Sequence, residues 1–384
     1  MSKSDFPPEE FADRLARLRL AMATAGIDWL LVFHPVSIHW LTGSDAKSYQ
    51  AFQCLLVPAA ATPPVMFTRR SEEAEFHDDA LVDELVTWGG PDPEDPLAAF
   101  ARLIGRLGLT QGRIGMEVPA YYLHPHHYLK VKALLGAALT CEPTHLVHDL
   151  KLRKSPREIA FIRKAAAIAD RTIEAFVGAL RPGRSELEVT AEIFHTMLAA
   201  GGGQPATPLN FVSGPRAAFS HGAPTERRLA LGDTGNAEYC VPYRRYSVTI
   251  GRQFSIGPPS PRLLALHDIV RRAGDAAIAA IRRGVAATVP HEAARAVIAE
   301  AGLDAARVHL TGYGVAPAFP PATAEPLQLF AGSPYRLDTG MVLSVCPPVF
   351  ITAERLGVRL VDNVLVTDTG AERLCTAARD LIVV

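Results

Sequence analysis

The sequence has only five cysteines among its 384 residues, and no two of them form a CxxC pair. An odd number of scattered cysteines argues against a disulfide framework or a zinc site. Basic and acidic residues nearly balance at 39 and 40, so the charge excess of a nucleic-acid-binding protein is absent. No apolar run approaches the roughly 18 residues of a membrane-spanning helix. These absences exclude a disulfide-rich scaffold and disfavour nucleic-acid and membrane partners.

What is present suits a two-domain globular protein. Hydrophobic residues make up 48% of the chain, and a chain of this length can form two cores. The first residues, MSKSDFPPEEF, lack the basic and then apolar pattern of a secretory signal. Because isolated cysteines suit a reducing compartment, we expect a cytoplasmic protein.

The first part of the chain alternates between helical and strand-like segments. Phe11, Leu15, Leu18 and Met22 recur at helical spacing, and the apolar run 29–33 is typical of a buried strand. Further runs continue this alternation, which predicts an α/β domain over residues 1–153.

The second part begins with a strong helix start. Ser155 suits an N-cap, Pro156 suits the first helical turn, and Glu158 completes a capping box. Two predicted helices, several strands, two more helices and closing strands follow, so the pattern repeats within this half. We expect an α+β domain over residues 154–384, with a curved antiparallel sheet covered by two helix pairs and a site in its concavity.

A series of short motifs in this half resembles the creatinase/aminopeptidase P family, known for its pita-bread fold. No single motif is specific, but their order and spacing are similar to those of the family. They are Lys154–Ile159, Ser213-Gly214, His221–Pro224, Gly232-Asp233, Thr311–Gly314, Gly340–Val342 and Gly357–Asp362. The resemblance covers essentially the whole chain and implies a creatinase-type N-terminal domain, a pita-bread C-terminal domain and a homodimer.

The same resemblance locates the positions at which family peptidases hold metal. They are occupied here by Glu238, Thr249, Tyr313, Cys346 and Val361. A site for two divalent cations needs several carboxylate ligands, and only the first of these residues supplies one. We therefore expect no metal and no other cofactor, and a working Xaa-Pro aminopeptidase is disfavoured.

Within the family, residues 238–246 resemble the hairpin of the ectoine hydrolase branch, and Thr311–Tyr313 followed by Phe319–Pro321 is similar to a second motif of that branch. The resemblance implies a metal-independent hydrolase of a non-peptide C–N bond in a small carboxylated amidine, guanidine or amide. Gly251 and Val361 depart from the branch, so the substrate is left open. The alternative is a non-catalytic binding or scaffold protein.

Three residues are predicted to be catalytic. His221 is a candidate base because imidazole titrates near neutral pH, although it could also cap a loop. Glu238 is a candidate partner for a cationic substrate group, or for a structural arginine. Tyr313 could donate a hydrogen bond or simply fill the space of the lost metal.

Further residues are predicted to bind substrate. Arginines suit a substrate carboxylate, Cys346 is either a nucleophile or a small buried hydrophobe, and two N-terminal residues could reach the pocket of a partner subunit. The predicted substrate-binding residues are Arg244, Arg245, Tyr246, Arg252, His309, Arg359, Cys346, Tyr49 and Gln53.

Overall fold

The protein is described by a computed structural model covering residues 3–45, 47–118 and 121–384. The side chains at positions 316, 322 and 323 are outside this description. The chain divides into two compact units, Met1–Lys151 and Leu152–Val384. This division lies close to the boundary expected from the capping signals.

The N-terminal unit contains a six-stranded mixed sheet in the order β4-β3-β2-β1-β5-β6. Its helices are α1 (Pro8–Thr24), α2 (Pro35–Thr42), α3 (Glu73–Asp79), α4 (Pro96–Leu107), α5 (Pro125–Leu135) and α6 (Leu146–Lys151). Its strands are β1 (Trp29–Val32), β2 (Cys54–Pro58), β3 (Val65–Arg69), β4 (Glu84–Trp88), β5 (Ile114–Met116) and β6 (Leu139–Cys141).

The central strand β1 is buried on both faces. Leu31 belongs to one apolar cluster with Phe67 and Phe100, whereas Leu30 and Val32 belong to another. Because successive side chains of a strand point to opposite faces, a continuous apolar run requires cover on both sides. This explains why residues 29–33 show no polar alternation.

The C-terminal unit combines two helix pairs with antiparallel strands. The helices are α7 (Pro156–Ala179), α8 (Glu186–Ala199), α9 (Pro261–Ala280) and α10 (Thr288–Glu300). The strands are β7 (Asn210–Ser213), β8 (Thr234–Tyr243), β9 (Tyr246–Ser255), β10 (Gly312–Phe319), β11 (Ala322–Leu329), β12 (Val342–Val345), β13 (Val349–Ile351), β14 (Leu356–Val358), β15 (Asp362–Val366), β16 (Ala371–Arg373) and β17 (Ile382–Val383).

Two sheets of this unit meet along β9. One has the order β17-β9-β8-β7 and the other β11-β10-β12-β15-β16. The backbones of Gly251 and Val361 are bridged, with N–H to carbonyl oxygen distances of 3.4 and 3.1 Å. The strand segments therefore form the expected curved surface, and helices α7 with α8 and α9 with α10 pack as pairs.

The helix start at the beginning of this unit is confirmed in atomic detail. The Ser155 hydroxyl accepts a hydrogen bond from the Glu158 amide at 3.2 Å, and the Glu158 carboxylate accepts one from the Ser155 amide at 2.7 Å. These bonds satisfy two donors that the helix itself leaves free. Among the described helices, none has the length and apolar character needed to cross a membrane.

The strand pattern differs from the prediction in two places. The β10–β11 hairpin was not predicted, because its alanines and prolines carry little β-propensity. The first of the closing strands, expected near residues 341–350, is instead two strands, β12 and β13, since Pro347 and Pro348 cannot donate to a ladder. This interruption places Cys346 directly after β12.

Candidate active site

A cavity of about 340 Å³ opens in the C-terminal unit beside β7, β8, β9 and β10. We call it the main pocket. It is lined by Thr207, Pro208, Asn210, His221, Glu238, Tyr239, Cys240, Thr249, His309 and Tyr313. All three residues predicted to be catalytic line this cavity, together with one predicted substrate-binding residue, His309.

Glu238 and Arg359 form a buried ion pair at the main pocket. Arg359 Nη1 donates a hydrogen bond to Glu238 Oε2, and Arg359 Nη2 donates one to the Ser220 hydroxyl at 3.0 Å. The Asn210 side chain also donates to Glu238 Oε2, at 3.1 Å. Glu238 Oε1 has no hydrogen-bond partner within the described parts of the chain. One carboxylate oxygen is thus held by protein donors, while the other can accept from a ligand.

The register of the strands explains this arrangement. Asn210 on β7 and Gly251 on β9 both lie directly opposite Glu238 on β8. Side chains directly opposite each other in an antiparallel pair project from the same face of the sheet. Asn210 was not predicted as a site residue. The available signal was that its strand pairs with the strand that carries the candidate carboxylate, Glu238. Ser220 was also missed, and its position next to His221 was the only sign of its role.

Two histidines line the main pocket with their rings 5.9 Å apart at an angle of 66°. Partial burial, and then the positive charge of Arg359, lower the pKa of His221 below 6.5. Burial likewise lowers the pKa of His309. The His309 Nδ1 atom lies 3.1 Å from the Leu310 carbonyl oxygen, which assigns the ring proton to Nδ1 and a lone pair to Nε2. Both shifts favour the neutral form of the imidazole.

Tyr313 and Cys346 remain uncharged in their surroundings. Burial raises the pKa of the Tyr313 phenol far above its ordinary value and raises the pKa of the Cys346 thiol to about 12. The Cys346 sulfur lies 3.9 Å from His309 Nδ1 and does not line the main pocket. Since the thiolate is the nucleophilic form, Cys346 fits the small buried hydrophobe better than the nucleophile.

Several predicted substrate-binding residues lie far from the main pocket. Arg244 and Arg245 form the tip of the β8–β9 hairpin with positive φ angles of 48° and 65°, roughly 20 Å along the strand from Glu238. The Arg245 guanidinium stacks 4.1 Å from the Phe319 ring centroid. The buried Tyr246 hydroxyl donates to Glu158 at 2.8 Å. These contacts hold the hairpin against its neighbours and do not reach the pocket.

Arg252 is also directed away from the main pocket. Glu238 lies opposite Gly251, so the adjacent residue 252 projects from the other face of β9. Its guanidinium donates to the carbonyl oxygens of Ala378, at 2.7 Å, and Val361, at 2.8 Å, and to the Asp362 carboxylate, at 3.1 Å. The expectation that Arg252 lines the cavity is therefore corrected, and its contacts are those of a structural residue.

Tyr49 and Gln53 belong to the N-terminal unit. The Tyr49 ring packs edge-on against the Tyr122 ring with centroids 5.1 Å apart. Gln53 is buried, and its side-chain oxygen has no hydrogen-bond partner among the described residues. Their expected contribution to the pocket of a partner subunit stays a prediction.

The side chains at the five expected metal positions do not fit a pair of divalent cations. Across residues 3–45, 47–118 and 121–384, no cluster of three or more His, Cys, Asp or Glu side chains has the geometry to hold a metal ion. The lone carboxylate, Glu238, is already paired with Arg359. The apolar Val361 side chain packs on Gly251. Its Cγ2 atom lies 2.7 Å from the position that a Cβ atom at residue 251 would occupy. Hard dications need more oxygen ligands than this set offers.

The chain belongs to metallopeptidase family M24, whose model matches residues 160–368, and residues 14–150 match the creatinase/prolidase N-terminal domain. It is similar to probable dipeptidase PepE of Mycobacterium tuberculosis, with 31% identity over 100% of this chain and 99% of the relative. The crystal structure of dipeptidase PepE from Mycobacterium ulcerans has a TM-score of 0.86, 29% identity, and coverage of 98% and 99%. Ectoine hydrolase of Halomonas elongata is 26% identical over 98% of each chain.

These similarities confirm the family and the two-domain fold, and they correct the expected reaction. The expectation of a non-peptide C–N hydrolase is wrong, because the relatives at 31% identity over the full length are named dipeptidases. Ectoine hydrolase is a more distant relative at 26% identity. The chain therefore belongs to a hydrolase family, and its relatives at 31% identity are named as dipeptidases.

Proposed function

We propose that this protein hydrolyses short peptides in the main pocket. The observation that carries the proposal is the Glu238 carboxylate, which is fixed through Oε2 and offers Oε1 to a ligand. A buried carboxylate oxygen of this kind suits a cation that can donate hydrogen bonds. The α-ammonium group of a peptide supplies both the charge and the donors, and the full-length similarity to a named dipeptidase supports the choice.

Arg359 is the positioning residue of this arrangement. The residue is only 1% exposed, and its guanidinium bonds both Glu238 and Ser220. The pair fixes which oxygen of the carboxylate remains free for a ligand. Removing one partner of a buried pair leaves the other charge uncompensated, which is costly. Arg359 therefore acts on substrate through Glu238.

His221 is the proposed general base. Its neutral imidazole accepts a proton from water while the water oxygen bonds to the peptide carbonyl carbon. Tyr313 donates a hydrogen bond to the carbonyl oxygen as negative charge develops there. When the C–N bond breaks, the proton held by His221 passes to the departing amine, so the free enzyme is regenerated. Each of these steps uses a side chain that lines the main pocket.

We further propose that the chemistry does not use the metal for which the family is named. The support is the donor set, in which Thr249, Tyr313, Cys346 and Val361 replace ligands and Arg359 already neutralises Glu238. The test is the metal content of the purified protein by mass spectrometry, with and without added manganese, cobalt or zinc. Stoichiometric uptake of any of these cations would remove this part of the proposal.

The peptidase proposal is tested with a panel of dipeptides and their N-acetylated forms, with cleavage followed by mass spectrometry. We expect the free dipeptides to be cleaved and the acetylated forms to be poor substrates, because acetylation removes the charge that Glu238 binds. Glu238→Gln should reduce this discrimination by roughly tenfold or more, since it loses a charged hydrogen bond. Equal cleavage of both forms by the wild type would contradict the role of Glu238.

We also infer that the protein is a homodimer in which Tyr49 and Gln53 approach the partner's main pocket. This inference rests on the resemblance to creatinase-type chains. Light scattering coupled to size-exclusion chromatography measures the oligomeric state. If the protein is monomeric while it cleaves peptides, the two N-terminal residues have no role across an interface.

A further inference from the structure

An irregular stretch of chain carries two residues of the candidate site to the main pocket. Residues 213–225, all of which the structure describes, start at the end of β7 and contain little regular structure beyond a short 3₁₀ helix, Gly214–Arg216. We call them the His221 segment. The Ser220 hydroxyl of this segment accepts a hydrogen bond from Arg359, and His221 lines the main pocket. Because loops are less rigid than helices and strands, the position of His221 depends on the contacts that fix this segment.

Glu186 bonds both ends of the His221 segment. It is the first residue of α8, and it is fully buried. Its Oε1 atom accepts a hydrogen bond from the Ser213 hydroxyl at 2.6 Å. Its Oε2 atom accepts two hydrogen bonds from Thr225, one from the amide and one from the hydroxyl, each at 2.8 Å. Residues 213 and 225 are the two ends of the segment, so one carboxylate closes it into a loop.

Arg216 extends this anchor toward His221. Its Nη1 atom donates to Glu186 Oε2 at 2.8 Å, and its Nη2 atom donates to the Ala223 carbonyl oxygen at 2.6 Å. Ala223 is two residues beyond His221 in the chain. A planar guanidinium bonds its acceptors in fixed directions. Arg216 therefore links the buried carboxylate to the backbone beside the imidazole, and it also compensates the charge of Glu186.

The middle of the His221 segment rests on β7. The Phe211 amide donates to the Gly222 carbonyl oxygen at 2.9 Å. A Cβ atom at residue 222 would lie only 2.5 Å from Val212 Cγ1, so the close approach requires glycine at this position. These contacts orient the segment on the strand, while the bonds to Glu186 fix its two ends.

A second glutamate in the same helical turn shows that the bonds of Glu186 are not needed to cap α8. Glu188 accepts a hydrogen bond from the Ser185 amide at 2.6 Å and completes the capping box of this helix. Its side chain is half-exposed. Within the part of the chain that the structure describes, it makes no hydrogen bond to the His221 segment. The helix start and the His221 segment thus each have a carboxylate of their own.

We propose that Glu186 is a positioning residue for His221, because it fixes both ends of the loop that holds this imidazole at the main pocket. Glu186 does not line that pocket, so it acts through the His221 segment. The proposal rests on the proposed peptidase function for the role of His221 as base, but the placement of the ring can be measured without a substrate. The ionisable groups that act on this ring are Arg359, Glu238 and His309, and release of the segment should move the ring away from them.

The test compares Glu186→Gln with Glu188→Gln, which removes the same charge from the same turn of α8. Titration of the His221 imidazole is followed by NMR, and its signal is assigned by its absence in His221→Ala. We expect the wild type and Glu188→Gln to titrate alike, with the pKa of His221 below 6.5. In Glu186→Gln this pKa should rise toward 6.5, because the ring leaves its partly buried position beside Arg359. A purely structural role would lower stability without this shift.

Peptide hydrolysis gives a second measurement of the same effect. We expect kcat of Glu186→Gln to fall roughly tenfold or more, since a misplaced base slows the chemical step. KM should change by less than about threefold, because Glu238 keeps its bonds to Arg359 and Asn210. Glu188→Gln should keep the kcat of the wild type.

Arg216→Lys is a conservative variant that keeps a positive charge beside Glu186. An ammonium group does not reproduce the directed bonds of the guanidinium, so we expect a smaller rise in the pKa of His221 than in Glu186→Gln. This variant decides the question if Glu186→Gln does not fold. A titration of His221 identical to that of the wild type in Arg216→Lys would then overturn the proposal.

The titration separates failure of this proposal from failure of the peptidase proposal. If the wild type cleaves no peptide, but Glu186→Gln raises the pKa of His221 and Glu188→Gln does not, the positioning role stands and the peptidase proposal fails. If peptides are cleaved and Glu186→Gln matches the wild type in both titration and kcat, the Glu186 proposal is overturned. An equal shift in Glu188→Gln also overturns it, because the effect would then come from the charge of the helix end.

Discussion

Two fully buried arginines of the C-terminal unit, Arg252 and Arg359, differ in how completely their guanidinium groups are bonded, and we propose a functional role only for Arg359. Arg252 uses all three of its nitrogens, with bonds to four backbone carbonyl oxygens and to Asp362. Arg359 bonds Glu238 and Ser220, and its Nε has no partner among the described residues. Burial alone therefore does not identify function. The two residues differ because Arg359 lies beside the main pocket with one nitrogen that makes no hydrogen bond among the described residues, whereas every nitrogen of Arg252 is bonded.

The largest effect should come from removing the structural arginine. Arg252→Met removes the donor to the Ala377 and Ala378 carbonyl oxygens and one of the two guanidinium groups beside Asp362, the other being that of Arg379. We expect a loss of about 3–5 kcal/mol in the free energy of unfolding. Urea denaturation measures this loss. Arg359→Met should cost less stability, because Glu238 faces the pocket and can be rehydrated. Arg244→Met, at the exposed hairpin tip, is the control and should change stability by less than about 0.5 kcal/mol. Equal losses for Arg252 and Arg359 would remove the distinction.

His221→Ala tests the proposed functional residues of the main pocket. We expect kcat for dipeptide hydrolysis to fall by about 10²–10⁴-fold, the usual contribution of a general base. The urea midpoint should stay near that of the wild type, because His221 lies exposed at the pocket edge. Unchanged turnover in this variant would show that another group activates water.

The pH dependence of kcat/KM links His221 to Arg359. Because the pKa of His221 is lowered, the neutral base persists below pH 6.5 and activity falls only as the pH drops through the lowered pKa. Arg359→Met removes a positive charge that lowers this pKa, so the acid limb should move to higher pH. Arg252→Met is the control for this shift and should leave the limb in place. An acid limb that does not respond to Arg359→Met would contradict the assignment.

The smallest effect is expected at Cys346. Since burial raises the pKa of this thiol to about 12, it is neutral and takes no part in the proposed chemistry. Cys346→Ala should keep kcat within about twofold and lower stability by about 1 kcal/mol, as the loss of a small buried group does. A loss of activity comparable with that of His221→Ala would restore the nucleophile hypothesis.

The sequence predicted the fold well because its signals are local and ordered. The capping box at Ser155 and the ordered motifs predicted where the second unit begins and how it folds. The three predicted catalytic residues line one cavity. The β10–β11 hairpin was missed because its composition carries no strand signal. Arg252 was misplaced because it follows Gly251, the residue opposite Glu238, and therefore projects from the other face of β9. The substrate class was wrong because the hairpin motif alone does not specify the bond that is cleaved.

The most direct test of the account is hydrolysis of a free dipeptide by the wild type, measured beside Glu238→Gln and the N-acetylated dipeptide. The account predicts cleavage of the free dipeptide by the wild type, weak cleavage of the acetylated form, and loss of that discrimination in Glu238→Gln. If the wild type neither cleaves nor binds any free dipeptide, the account of the main pocket is contradicted.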